Sequence, residues 1–193
     1  MTTLLTSLPV EEVTQEEIDG LKRMREEEKL AQDIYLSLAT SGNPLTFKNI
    51  SKAEATHFAA AKILLERYAI DDPAQAESGK FADPELQAVY DAMAAAGQDS
   101  AVVALAVGLE IEEIDIADLV SRLEKSDNKD IRTLYQNLML GSRNHLRAFN
   151  KVLLRKGGTY EPKHLTKEVF DAIIASPQEK GLVDADGKSV RVR

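Results

Sequence analysis

Residues 47–68 read FKNISKAEATHFAAAKILLERY, and this stretch decides the fold class. Phe47, Ile50, Phe58, Ala61, Leu64, Leu65 and Tyr68 recur at the spacing that lines one face of an α-helix and that an alternating strand cannot present. Glu54 and His57 fall near the centre of that apolar face, one helical turn apart. An ionised carboxylate in such a place is costly unless it is paired or holds a metal. The stretch therefore predicts a core-facing helix that carries chemistry.

Working outward, the flanking sequence repeats the helical pattern. Thr14 and Glu17 stand in capping-box relation and open a first long helix over 14–40, which Ser41-Gly42-Asn43-Pro44 should stop. Thr46 is placed to cap the second, about 47–69, and Asp71-Asp72-Pro73 closes it. A different kind of segment follows from 70 to about 99, with one short helix from Asp83-Pro84-Glu85 to Ala96 that stops at Gly97. The third long helix covers about 99–125, Ser126-Asp127-Asn128 breaks it, and the fourth runs from near Asp130 to Gly157-Gly158. In the tail, a short helix is expected at about 166–175. Gly181, the turn from Asp184 to Gly187 and Val190–Val192 then read as a loop or a short extended end.

These elements predict an all-α fold in which residues 1–158 form a four-helix bundle and residues 159–193 a tail with one short helix packing on it. The long connection between the second and third helices lets the third run parallel to the second, as in ferritin-like bundles with one crossover. An up-down-up-down bundle would not need so long a link.

Composition narrows the chemistry. The chain has 193 residues, 24 Lys+Arg against 32 Asp+Glu, a formal net charge of −8, 5% aromatic residues and no Trp. This balance argues against a broad basic surface for nucleic acid. No apolar run approaches the length of a membrane helix. The first residues, MTTLLTSLPVEEVTQEE, lack the basic start and unbroken apolar run of a signal peptide, so we expect a cytoplasmic protein. With no Cys, thiolate nucleophiles, thiolate zinc sites and iron–sulfur clusters are excluded. Any metal must be held by carboxylates and by His57, His145 or His164.

The other long helices also carry ionisable residues on their apolar faces. In the first, Leu21, Met24, Ala31, Tyr35 and Leu38 form a seam with Glu28 inside it, while Glu27 lies at a similar angle on the other side; spacing leaves both open. In the third, Glu112 breaks the seam of Leu105, Leu109, Ile116 and Leu119, with Glu113 beside it and Glu110 farther round. In the fourth, His145 lies close to the middle of a face with Leu134, Leu138, Ser142 and Phe149. Three carboxylate positions and two imidazoles aimed at one axis make a ligand set for iron or manganese, with zinc possible. Carboxylates can bridge two ions, and imidazole supplies a neutral terminal ligand. The competing reading is a buried ion-pair network among Glu28, His57, His145 and Arg or Lys, of the kind that adds little net stability. Glu26 reads as part of a solvated helix face, Tyr35 as a core residue with a bonded hydroxyl, and His164 as a structural or exposed residue of the tail.

Five segments carry a resemblance: MREEEKLAQDIYLSL (24–38), FKNISKAEATHF (47–58), FADPELQAVYDAM (81–93), VGLEIEEIDIADL (107–119) and NLMLGSRNHLRAFN (137–150). Together they span most of residues 20–175 and resemble the ferritin-like proteins, most closely the family of domain of unknown function 2202. The resemblance implies a four-helix bundle with a carboxylate-bridged dinuclear metal centre. Glu28 followed by Tyr35 is similar to the first-helix Glu and its Tyr seven residues on, which favours Glu28 over Glu27. Glu54 and His57 match the first Glu-x-x-His, Glu112 looks like the third-helix carboxylate, and His145 matches the fourth-helix histidine. One position departs from the pattern. Ser142 stands where a glutamate is usual, so a second bridging carboxylate would have to come from Glu113, Glu110 or Asp115.

The function implied is that of a metal-binding protein with a di-iron or di-manganese centre, an oxidase or peroxidase acting on O2 or peroxide. A separate electron donor would serve it, since the chain has no Cys for a rubredoxin-type iron site. A homodimer stands as a candidate assembly, and storage in a ferritin-like shell would require a large oligomer. The alternative is a non-catalytic helical bundle, an interaction module with a degenerate metal site.

Overall fold

Thr14 opens the first long helix as its sequence requires. Its Oγ1 accepts from Glu17 N (3.2 Å) while Glu17 Oε2 accepts from Thr14 N (2.9 Å), satisfying two otherwise unpaired donors. The computed structural model describes residues 1–39 and 44–190, the side chain of Pro44 excepted. Along it run α1 (Thr2–Ser7), α2 (Gln15–Leu38), α3 (Pro44–Arg67), α4 (Pro84–Ala96), α5 (Ala101–Lys125), α6 (Lys129–Arg155) and α7 (Lys167–Ala175). Two short strands follow, β1 (Leu182–Val183) and β2 (Ser189–Val190), paired antiparallel with Leu182 opposite Val190.

Four of these are the long helices of the sequence, with adjustments at their ends. The second begins at Pro44 instead of 47, so Thr46 lies inside the first turn and is not its cap. The expected stop at Ser41-Gly42-Asn43 lies outside the described residues. Asp83 caps α4 through Glu85 N, with proline in the first turn, and Ser100 caps α5 through Val103 N. In the tail, the expected loop or extended end is a hairpin as far as Val190, and the rest of the expected end lies outside the described residues. Asn137 of α6 donates to Val183 O (2.7 Å) and accepts from Val183 N (3.0 Å), fixing β1 as a neighbouring strand would.

Side-chain pairs give the directions of the long helices. Tyr35 meets Phe47 near one end of α2 and α3, and Arg25 donates to Phe58 O farther along, so these helices are antiparallel. Arg132 donates to Leu123 O, while His145 lies 3.5 Å from Glu112, which makes α5 and α6 antiparallel. Tyr35 OH reaches Glu112 across α2 and α5, and Tyr68 OH reaches Asp130 across α3 and α6. Because α3 and α5 each run against α2, they run parallel to one another. The segment between them must cross the length of the molecule, and α4 lies on the way, packed on α2 and α5.

The core is divided. At one end Tyr35, Phe47 and Phe149 pack with ring centroids 5.1–6.0 Å apart, and Gly108 is required beside them because a Cβ there would lie 2.9 Å from Phe149. At the other end Leu21, Met24, Leu64, Leu134 and Leu138 form a second apolar cluster. Between the two halves lie Glu28, Glu54, His57, Glu112 and His145, all buried.

Residues outside the four helices are fixed by charged groups that look solvent-facing in the sequence. Arg25 and Lys29 of α2 hold the crossover, Arg25 through Asp72 (2.9 Å), Lys29 through the carbonyls of Glu77 (3.0 Å) and Lys80 (3.2 Å). Glu26, expected on a solvated face, is buried and accepts from Ala82 N (2.6 Å). The N-terminal residues form α1, whose Leu5 is fully buried and whose last carbonyls Arg67 binds. No helix among the described residues is long and apolar enough to cross a membrane.

Candidate metal centre

Each long helix contributes to the polar layer from its apolar seam, the first through Glu28, one of the two positions its spacing left open. Glu28 comes from α2, Glu54 and His57 from neighbouring turns of α3, Glu112 from α5 and His145 from α6. Their donor atoms fall into two groups of three, Glu28–Glu54–His57 and Glu54–Glu112–His145, and within each group the atoms lie within 4.8 Å of one another. Either group could hold a metal ion, and Glu54 belongs to both.

Both imidazoles turn Nδ1 inward. With the ring protonated, His57 Nδ1 donates to Glu54 Oε2 (2.8 Å) and lies 3.3 Å from Glu28 Oε2. His145 Nδ1 lies 2.8 Å from Glu54 Oε1 and 3.5 Å from Glu112 Oε1, without the alignment of a hydrogen bond to either. Glu28 Oε2, Glu54 Oε1, Glu112 Oε2 and His145 Nδ1 are fully buried and lack any hydrogen-bond partner. Such atoms are rare in folded proteins, where buried polar groups are nearly always satisfied. Here four of them converge on one small volume.

Electrostatics in the layer follow from burial and from the two imidazoles, which are its only cations among the described residues. Burial pushes the Glu28 carboxyl up to about 7 against the pull of His57, and Glu112 up to about 7 against the pull of His145. For Glu54 burial acts the same way but loses. His145 and then His57 hold it below the usual carboxylate range. The imidazoles move oppositely. Burial favours their neutral forms, but Glu28 and Glu54 raise His57 to about 10, and Glu54 and Glu112 hold His145 well above its ordinary value. Among the described residues no Lys or Arg forms an ion pair with Glu28, Glu54 or Glu112. Of the expected ion-pair network the Glu–His pairs are present, Glu28 with His57 and Glu54 with His145, and only its Arg or Lys member is missing among the described residues.

The neighbours of the cluster are explained one by one. Tyr35 OH donates to Glu112 Oε1 (2.6 Å), the bonded core hydroxyl the sequence suggests. Glu27 turns away from Glu28's partners to Arg23 (2.5 Å). Glu113 faces the tail, accepting from Tyr160 OH, Lys163 N and Leu165 N, and Glu110 pairs with Lys163. Neither replaces a carboxylate at Ser142, whose hydroxyl turns back to Leu138 O (3.3 Å). Asp115 is buried one turn from Glu112 and joins neither group of three. Burial pushes its carboxyl well up, with Glu112 and Glu28 adding to the effect. His164 is exposed, 3.7 Å from Glu110.

One residue of the site escapes the helical-wheel reading. Gly141 lies inside α6, where glycine costs roughly 1 kcal/mol relative to alanine, and a Cβ there would come within 2.6 Å of His57 Nε2. The ring of His57 thus lies against bare backbone and stacks beside His145, centroids 5.6 Å apart. A mid-helix glycine one turn before an inward histidine is the signal that could have found it.

Fold and site together define an all-helical protein with a buried carboxylate–histidine layer able to hold metal. Residues 17–177 match the uncharacterized protein domain DUF2202, and the chain belongs to that family. It is 46% identical over 179 residues to the uncharacterized protein MJ0754 of Methanocaldococcus jannaschii, covering 92% of this chain and 97% of that one. The crystal structure of hypothetical protein MJ0754 from Methanococcus jannaschii is similar with a TM-score of 0.87 and 46% identity, over 89% of this chain and 99% of the other.

Proposed function

We propose that this protein is a ferritin-like four-helix-bundle metalloprotein whose Glu28, Glu54, His57, Glu112 and His145 hold two transition-metal ions, with Glu54 shared between them. Four buried donor atoms without a hydrogen bond, gathered in two overlapping groups where the carboxylates are opposed only by imidazoles, carry the reading. The oxygen-rich set with two imidazoles suits iron or manganese, and zinc fits its geometry as well. When bound, such metals supply electrons and Lewis acidity for reaction with O2 or peroxide.

The chain's own residues would do the rest. Glu28 and Glu112 would each help to hold one ion, in the groups they form with Glu54 and a histidine, while Tyr35 fixes the orientation of Glu112 by its hydrogen bond. Apolar clusters on both sides of the layer keep bulk water out. Without Cys, the chain has no thiolate-held iron site to pass electrons inward. A separate donor protein would supply them.

Elemental analysis of protein purified without a histidine tag tests the reading. We expect two Fe or Mn per chain, none in Glu54→Ala because both groups lose their shared ligand, and one in His57→Ala. Wild-type protein that stays metal-free after anaerobic Fe(II) loading would sink the reading and favour the interaction module.

A further inference from the structure

The polar layer has two sides of different construction. On the α3–α6 side the stacked imidazoles close it, with His57 against the Gly141 backbone. On the α2–α5 side lie the carboxylates of Glu28 and Glu112, and there the helices do not close completely. A recess of about 30 Å³ opens between α2, α4 and α5, room for roughly two water molecules.

Its walls have a definite order. Arg23, Val89 and Ile114 are half-buried and form the outer end. Leu30, Leu86 and Ile111 are buried and make the sides. Deeper still, the recess meets two buried carboxyl groups, Glu27 at 4% and Asp115 at 5% exposure. Glu27 Oε2 has no hydrogen-bond partner, and Asp115 forms no hydrogen bond or ion pair among the described residues. Buried carboxyl oxygens left without a protein partner are satisfied by water wherever space allows, and here the space lies in front of Glu27 and Asp115.

Position gives the recess its use. Asp115 joins the recess to the layer: it lines the recess, sits one helical turn from Glu112 on α5, and its carboxyl feels the charges of Glu112 and Glu28, so the inner end faces the α2–α5 side of the layer. Size excludes organic substrates. Arg23 spans the outer end, bound to Glu27 (2.5 Å) and to Asp83 (2.5 Å), the cap of α4.

We propose that the recess under α4 is the passage by which water and neutral molecules of similar size, O2 and hydrogen peroxide among them, reach the Glu28–Glu112 side of the metal layer. Glu27 and Asp115 are its polar lining and Arg23 stands at its mouth. The proposal rests on the metal-binding reading above, and its test separates the two.

In the metal-free protein, nuclear Overhauser contacts from water to the methyl groups of Leu30, Leu86 and Ile111 should be present and should vanish in Val89→Phe, which fills the recess. Their absence in the wild type overturns the proposal. In protein loaded with Mn(II) alone, the solvent-proton relaxation rate per bound ion should fall on the order of threefold in Val89→Phe, since a phenyl ring occupies the space of the waters. Ile114→Phe, which approaches from α5, should do the same, so that poor folding of one variant does not decide the matter. Equal Mn(II) content with unchanged relaxation means that water enters past the imidazoles, and the passage is refuted while the metal site stands. Failure to bind Mn(II) or Fe(II) at all refutes the metal reading and leaves a hydrated recess that leads nowhere.

Discussion

Residues 23–33 of α2 carry two populations of buried charge on one helix. Facing the crossover, Arg25, Glu26, Lys29 and Asp33 are each at most 7% exposed, and each meets a complementary partner: Asp72, the amide of Ala82, two carbonyls, the amide of Gly79. Facing the bundle axis, Glu28 is as deeply buried, yet one of its oxygens has no hydrogen bond and its charge is opposed only by an imidazole. Burial of charge is common to both and says nothing about function. What separates them is satisfaction. The outer set is hydrogen-bonded as it stands and fixes a loop, whereas the inner set leaves Glu28 Oε2, Glu54 Oε1 and Glu112 Oε2 without a hydrogen bond.

The largest effect expected from this contrast is on the outer set. Arg25→Ala leaves Asp72 unpaired, frees the carbonyl of Phe58 and removes the guanidinium from above the Phe58 ring. Urea unfolding should show a loss of about 3 kcal/mol, the low end for breaking a buried pair, because Asp72 is partly exposed. Metal content should not change. A variant that stays folded but loses its metal would tie the clamp to the centre and break the contrast.

The inner set should respond to pH and metal together. Glu28 and Glu112 have folded-state values raised to about 7 from an ordinary 4.5, and His57 is raised to about 10 from 6.5. A group raised on folding adds stability that is complete below its unfolded value and is lost as pH climbs through its folded one. The metal-free protein should therefore lose stability from about pH 4.5 through 7, and again from 6.5 towards 10. Bound metal reverses the dependence, since ligands must be deprotonated to hold it. The gain in melting temperature on adding Mn(II) should then grow between pH 5 and pH 8. At a free concentration 100-fold above Kd, one site contributes about 2.7 kcal/mol. A gain that does not depend on pH would place the ion elsewhere.

The same distinction marks what could be read from the sequence. Glu28, Glu54, His57, Glu112 and His145 are visible because they interrupt apolar seams, and a helical wheel places them on one side whatever the loops do. For Glu28 against Glu27 the wheel is silent, and only the resemblance favoured the residue found in the layer. The clamp was invisible for a physical reason. Arg25 and Lys29 meet partners 47–51 residues away on a connection without periodicity, and on a wheel they look like a solvated face, as Glu26 did. Glu113 was legible only as a neighbour of Glu112; its partners lie in the tail, about 50 positions on. Helix α1 and the hairpin are short and fixed mostly by contacts with α3 and α6, so their own sequence carries little signal.

The smallest effect is the most discriminating, because its sign differs from that of the clamp. Glu28→Gln keeps the shape of the side chain and removes a carboxylate that burial disfavours above about pH 7. His57 retains Glu54 Oε2 at 2.8 Å, so its ring does not lose its orientation. At pH 8, metal-free Glu28→Gln should melt higher than the wild type, by ~1 kcal/mol, the scale on which sites shaped for function sacrifice stability. It should also bind one metal fewer, because the Glu28–Glu54–His57 group loses an ionised ligand. A loss of stability as large as that of Arg25→Ala would mean that Glu28 and His57 form a structural ion pair, satisfied as they stand, and the two faces of α2 would then be alike.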